Sequence, residues 1–233
     1  MCHRGNFVAI LLGLVAAILL AGLIFGLILR PWSHRRGAIE EEVGGTLPGD
    51  DLVPNSRTGY TQAITIHSSP AKVWPWLIQV GYRRAGWYTY DWFYRLIKSD
   101  EFVDGHSSNR IVPELQDLKV GDEIAIFAAG PFKVAALEPN RALVLLARVD
   151  FKTGRTFELT DPAPGNFLNN SWAFVLHEVD ANTTRLVVRY RMDFSPSMVN
   201  KMAYSIPTDG GALIFQPKML KGIKERAEAN VAQ

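Results

Sequence analysis

The chain is 233 residues long, 48% hydrophobic and 21% charged, with a formal net charge of +2. That balance excludes an intrinsically disordered chain and a protein that coats nucleic acid. Arg4, Arg30, Arg35 and Arg36, with no acid, fall in the first 36 residues, which leaves 21 basic against 23 acidic side chains in a near-neutral body of one-domain size. Cys2 is the single cysteine, so an internal disulfide and a cysteine zinc site are excluded.

Phe7 to Leu29 read FVAILLGLVAAILLAGLIFGLIL, 23 residues without a polar side chain. At 1.5 Å per residue they run roughly 35 Å as a helix, enough to cross a bilayer. Arg30-Pro31-Trp32 follow in place of a small-x-small cleavage site, so a membrane anchor is expected in preference to a signal peptide. One basic residue before the span and three after it predict a single-pass protein with its soluble domain in the cytoplasm. Ala9, Gly13, Ala17 and Ala21, with the pair Gly22 and Gly26, form strips where a second helix could approach, so a homodimer through the span is one expectation and ordinary membrane-helix composition the other. The chain divides into an anchor (1–32), a Gly-, Pro- and charge-rich linker or surface-hugging tether (33–58) and a folded domain (59–233).

In the domain, β-branched residues predict a strand over 60–67. Ser68-Ser69-Pro70 then starts a short helix that runs to Gly81 and is kinked at Pro75, and a second helical piece covers 90–97. Antiparallel strands follow over 123–128, 132–138, 141–149, 171–179 and 184–194. The last alternates Leu186, Val188, Tyr190, Met192 and Phe194 on a buried face with Arg185, Val187, Arg189, Arg191 and Asp193 on a wet one. An amphipathic helix over about 209–229, with Phe215, Met219, Ile223 and Ala227 at every fourth position and a bend from Pro217, closes the chain.

Three stretches, Ile64–Trp92 (ITIHSSPAKVWPWLIQVGYRRAGWYTYDW), Arg110–Ile124 (RIVPELQDLKVGDEI) and Lys218–Glu228 (KMLKGIKERAE), make the chain resemble the SRPBCC or START-related helix-grip superfamily, in its polyketide-cyclase-like and lipid-transport-like branch. The resemblance covers about 60–228. It implies an α+β helix-grip fold, a curved antiparallel sheet around a long C-terminal helix, with a cavity between them for a lipid, a polyketide or another apolar small molecule. The superfamily holds carriers, binding proteins and cyclases, so the fold does not fix the activity.

No dinucleotide, P-loop, nucleophile-elbow or zincin motif is present, and His67, His106 and His177 are too dispersed for a metal-ligand pattern, so no cofactor, metal or catalytic residue is expected. Nine aromatic residues crowd 74–94. They can wall a cavity or fill a core; the pocket candidates are Trp74, Trp87, Tyr90, Tyr190, Met192, Phe215, Met219 and Ile223. Asp91 and Glu114 are the acid–base candidates, with helix capping and pairing to Arg110 as their plainer roles. His177 faces the buried side only if the last hairpin pairs it with Leu186. Arg189 and Arg191, on the wet face, could stack on Trp172 or Phe174 if those rings also point outward. The expected function is a membrane-anchored binding domain for a hydrophobic small molecule or lipid. The alternatives are a cyclase- or dehydrase-like enzyme, marked by buried acid–base pairs, and a non-catalytic interaction module, marked by a filled cavity.

Overall fold

The computed structural model describes residues 2–127, 131–158, 160–162 and 164–229. One helical run, α1 (Cys2–Ile24), a π-turn (Phe25–Leu29) and α2 (Arg30–His34), continues unbroken to the edge of the domain. Over Ile10–His34 it has the length and apolarity to cross a membrane, a property that a signal sequence shares. Its side chains from Ile10 to Leu29 stand largely exposed, and Gly13, Gly22 and Gly26 face open space.

Six antiparallel strands form one open sheet in the order β1-β6-β5-β4-β3-β2: β1 (Thr58–Ile66), β2 (Glu123–Ala125), β3 (Pro131–Glu138), β4 (Ala142–Asp150), β5 (Phe167–Asp180) and β6 (Thr183–Phe194). The expected end of the first meander strand, Ala128, lies outside the described residues. Strand period places Leu186, Val188, Tyr190 and Met192 of β6 beside Trp172, Phe174 and Leu176 of β5 on one inner face. That face carries the main core, together with α4 (Pro70–Ile78) and the last helix. The α+β class, the antiparallel sheet and the long C-terminal helix are those expected from sequence.

The outer face is not wet, contrary to expectation. Residues 35–57, with α3 (Glu40–Gly44), lie across it, and Leu47 packs with Ala63, Val175 and Val187 in a second, smaller core. Arg189, 5% exposed, donates to Thr61 Oγ1 at 3.0 Å, to the carbonyls of Gly45 (2.8 Å) and Val43 (2.9 Å), and to Asp50 Oδ2 at 2.5 Å. Arg185 pairs with Glu42, and Arg191 donates to the carbonyl of Val53 at 3.0 Å. The alternating arginines that read as a solvated face therefore bind a covering segment. Trp172 and Phe174 point to the inner face, so neither arginine stacks on them.

The last hairpin closes through the two residues Ala181 and Asn182, and an irregularity between Glu178 and Asp180 then shifts its register by one. His177 consequently opposes Arg185, not Leu186, and is exposed.

The closing helix starts eleven residues before the expected 209. Ser197 caps α6 (Met198–Gly210) by accepting from the Asn200 N–H at 3.0 Å. A π-turn (Gly211–Phe215) then leads into α7 (Gln216–Ala229). Pro217 has no N–H to return to the preceding turn, and the wide π-turn lies immediately before it, where a bend was expected. The helix through Pro75 stops at Ile78, three residues short of Gly81, and the second piece, α5, spans Asp91–Leu96.

Candidate ligand cavity

Between the inner face, α5 and the C-terminal helix lies a cavity of about 430 Å³. The sheet supplies Tyr60, Trp172, Tyr190 and Met192; the segment around α5 supplies Trp87, Thr89, Phe93 and Tyr94; the closing helix supplies Thr208, Gly210, Gly211, Phe215, Gln216 and Met219. No charged side chain lies on this wall among the described residues.

Five of the eight candidates, Trp87, Tyr190, Met192, Phe215 and Met219, are on the wall. Three are not. Tyr90 sits behind it, edge-on to Phe215 at 6.0 Å. Trp74 on α4 and Ile223 on α7 belong to the solid core. Ile223 lies one turn beyond Met219, where α7 meets the loop so closely that a Cβ on Gly222 would stand 2.7 Å from Tyr88 Cβ and clash with the Tyr88 carbonyl. Arg226, one turn on, sits over the Tyr88 ring at 4.3 Å and donates to the carbonyl of Ser108 at 2.7 Å.

The wall's polar groups are few and organised around Gln216, which is 2% exposed. Its Oε1 accepts from Tyr60 Oη at 3.2 Å and from Trp172 Nε1 at 3.1 Å, which fixes the amide orientation. The Nε2 is left with only the Met219 sulfur, at 4.0 Å. Trp87, stacked on Trp172 at 5.3 Å, buries its Nε1 without a partner among the described residues. Burial drives the Tyr60 hydroxyl well above its usual value and, against the Asn170 amide bond, pushes Tyr190 up to about 12. Both stay neutral donors at physiological pH.

The acid–base candidates fall elsewhere. Asp91 organises a loop, accepting from the Ser107 N–H at 2.8 Å and from its Oγ at 2.6 Å. Glu114 is exposed, and Arg110 pairs with Asp104 at 2.8 Å in its place. His67, His106 and His177 are exposed, and the described residues contain no cluster of three or more metal-ligating side chains.

Gln216, Trp172 and Tyr60 are wall residues that the sequence reading missed. Trp172 was legible in principle, because it alternates with Phe174 and Leu176 and opposes Tyr190. Gln216 carries no such signal: a single amide on a helix between a π-turn and a proline reads as surface.

No protein-family model matches the chain, and no curated protein matches it. Among solved structures it is similar to a protein from Mesorhizobium loti (17% identity, 74% of this chain and 98% of that one, TM-score 0.41). It is also similar to an HSP90 activator from Plasmodium falciparum (12% identity, 72% and 94%, TM-score 0.38) and to the Aha1 dimer from Colwellia psychrerythraea (20% identity, 73% and 96%, TM-score 0.35).

Proposed function

We propose that the chain is a membrane-anchored helix-grip binding protein for a neutral, apolar small molecule that carries at least one oxygen acceptor. The observation that carries this reading is the roughly 430 Å³ cavity with an aromatic and aliphatic wall, no charge on that wall, and two donors without an oxygen acceptor, Trp87 Nε1 with no partner among the described residues and Gln216 Nε2 with only the Met219 sulfur at 4.0 Å. An ionised headgroup inside would lose its hydration with no counter-charge to meet it, so the wall selects against free carboxylates and phosphates. A carbonyl, ester or hydroxyl oxygen would supply the acceptor that the two donors lack.

Binding would gain roughly 25 cal/mol per Å² of apolar surface removed from water. The anchor reading is supported by the unbroken helix from the span into α2, whose Ser33 is 1% exposed and accepts at its carbonyl from Gln62 Nε2 at 2.6 Å. Tethering keeps the cavity beside the bilayer, where apolar ligands concentrate. The three arginines after the span put the domain on the cytoplasmic side in this reading.

The test is native mass spectrometry of the full chain released from its own membrane. The whole chain is needed because the segment before β1 supplies Glu42 to Arg185. A neutral organic mass bound in a one-to-one ratio is the expected result, and a bare chain after incubation with a total lipid extract would contradict the proposal.

A further inference from the structure

We infer that α6 and α5 form a membrane-docking surface that sets the mouth of the cavity against an anionic lipid bilayer. This rests on the anchor reading above. On α6, Met198, Val199, Met202 and Ile206 are 72, 76, 60 and 65% exposed. Met198, Met202 and Ile206 follow one another at every fourth residue and so share a helix face. On α5, Trp92 is 59% and Leu96 72% exposed. These two helices flank the opening: the wall residues Phe93 and Tyr94 belong to α5, Pro207 and Thr208 to α6, and Phe127 and Pro207 are themselves exposed at the rim. Soluble surfaces seldom leave so many large apolar side chains together in water.

Two observations choose a bilayer as the occupant. The first is position. Asp209, at the end of α6 and one turn beyond Ile206, accepts from Arg30 Nε at 3.0 Å and from His34 Nε2 at 2.7 Å. Arg30 is the first residue after the apolar run, so the stripe begins where the span leaves the membrane. The second is charge. Arg95 on α5 and Lys201 on α6 are exposed, whereas Asp91 and Asp209, the acids within the same two helices, are bonded to Ser107 and to Arg30 with His34. An apolar stripe bordered by cations suits the interface of an anionic membrane. Two copies meeting through the same face would bring cation against cation. A cavity mouth held in this way exchanges ligand with lipid without a passage through water.

The test uses the full chain with Cys2→Ser, carrying one polarity-sensitive fluorophore at Met202→Cys, Leu96→Cys, Leu19→Cys or Val179→Cys. The chain is reconstituted in vesicles of phosphatidylcholine and phosphatidylglycerol that contain a lipid-borne quencher. Val179, at the far end of β5 and 61% exposed, is the water-facing control. Fluorescence is expected to be lost at Met202→Cys and Leu96→Cys as at Leu19→Cys, and kept at Val179→Cys. Quenching at Leu19→Cys with none at Met202→Cys and Leu96→Cys would overturn the docking surface and leave the anchor standing. No quenching at Leu19→Cys would overturn both. Shielding of Met202→Cys that follows protein concentration and not the lipid quencher would assign the face to a second copy, against the proposal.

Discussion

Arg30 donates through Nε to Asp209 at 3.0 Å across 179 residues of sequence, and this bond ties the end of the apolar helix to the helix that covers the cavity. Gln62 reinforces the tie from β1 by giving its Nε2 to the carbonyls of both Ser33 and Ala212 at 2.6 Å. Ala212 lies in the π-turn beside the cavity residues Gly211 and Phe215, so the apolar helix and the cavity wall share one buried amide. Asp209→Asn weakens the ion pair and its geometry, with an expected loss of about 1 kcal/mol in view of the partial exposure of Arg30. Hydrogen exchange should speed up over 206–216 and stay unchanged over β4 and β5; uniform change across the sheet would contradict the local role.

Gly222→Ala forces a methyl group against the Tyr88 backbone, at a position where neither α7 nor the loop bonded to Arg226 is free to move. Overpacking of this kind costs about 1–3 kcal/mol, or a thermal shift of roughly 2–4 °C for each kcal/mol in a chain of this size. Gly210→Ala meets nothing within 4 Å in a helical position and should be neutral or slightly stabilising. Calorimetry of the two variants side by side checks the contrast.

Arg189→Ala removes the group that holds residues 42–50 on the sheet and leaves Asp50, which is 16% exposed, with only the Leu47 N–H at 2.9 Å and Arg191 at 3.8 Å, so it should cost about 3 kcal/mol in urea unfolding. The loss should exceed that of Arg141→Ala, whose partner Glu138 sits in water.

Stability should erode at both ends of the pH scale, by protonation of Glu42 in acid and by deprotonation of buried tyrosines in alkali. Burial pushes the Glu42 carboxyl up, but the Arg185 bond and charge with the Ile39 N–H outweigh it and hold the carboxyl below its ordinary 4.5. A lowered carboxyl stabilises the fold above its unfolded value, and that contribution is lost as pH falls through the folded one. Glu42→Gln should therefore flatten the acid limb below about pH 4.5. Tyr94 and Tyr190 are raised by burial from 10 to about 12, so their contribution is complete below pH 10 and is lost as pH rises towards 12. Phenolate absorbance should show these two hydroxyls ionising late, together with alkaline unfolding.

Much of the architecture was legible because period-2 and period-4 patterns are local. The inner face of β6 and the stripe of α7 follow directly from the spacing of Leu186, Val188, Tyr190 and of Met219, Ile223. What was hidden depends on partners distant in sequence. Arg185, Arg189 and Arg191 look solvated until Glu42, the Gly45 carbonyl and Asp50 arrive from the segment read as a linker. One extra residue at the hairpin bulge moved His177 from one face to the other. Pro207, Gly210 and Gly211 masked a helix that begins at Met198. Within the cavity, Trp87 could be guessed from aromatic density and Phe215 from the stripe of the closing helix, whereas Gln216 acquires its role only from the bonds of Tyr60 and Trp172.

The most direct test of the account compares wild type with Gly211→Leu, each as full chain in lipid nanodiscs, by native mass spectrometry and thermal unfolding. Gly211 lies on the cavity wall in a helical conformation, and a Cβ there meets nothing within 4 Å, so leucine fills space that the ligand would otherwise occupy. The account predicts opposite signs: the bound neutral mass disappears while the ligand-free chain melts at the same or a higher temperature. Retention of the ligand by Gly211→Leu, or a bare wild type that the substitution leaves unaltered, would contradict a binding cavity at this site.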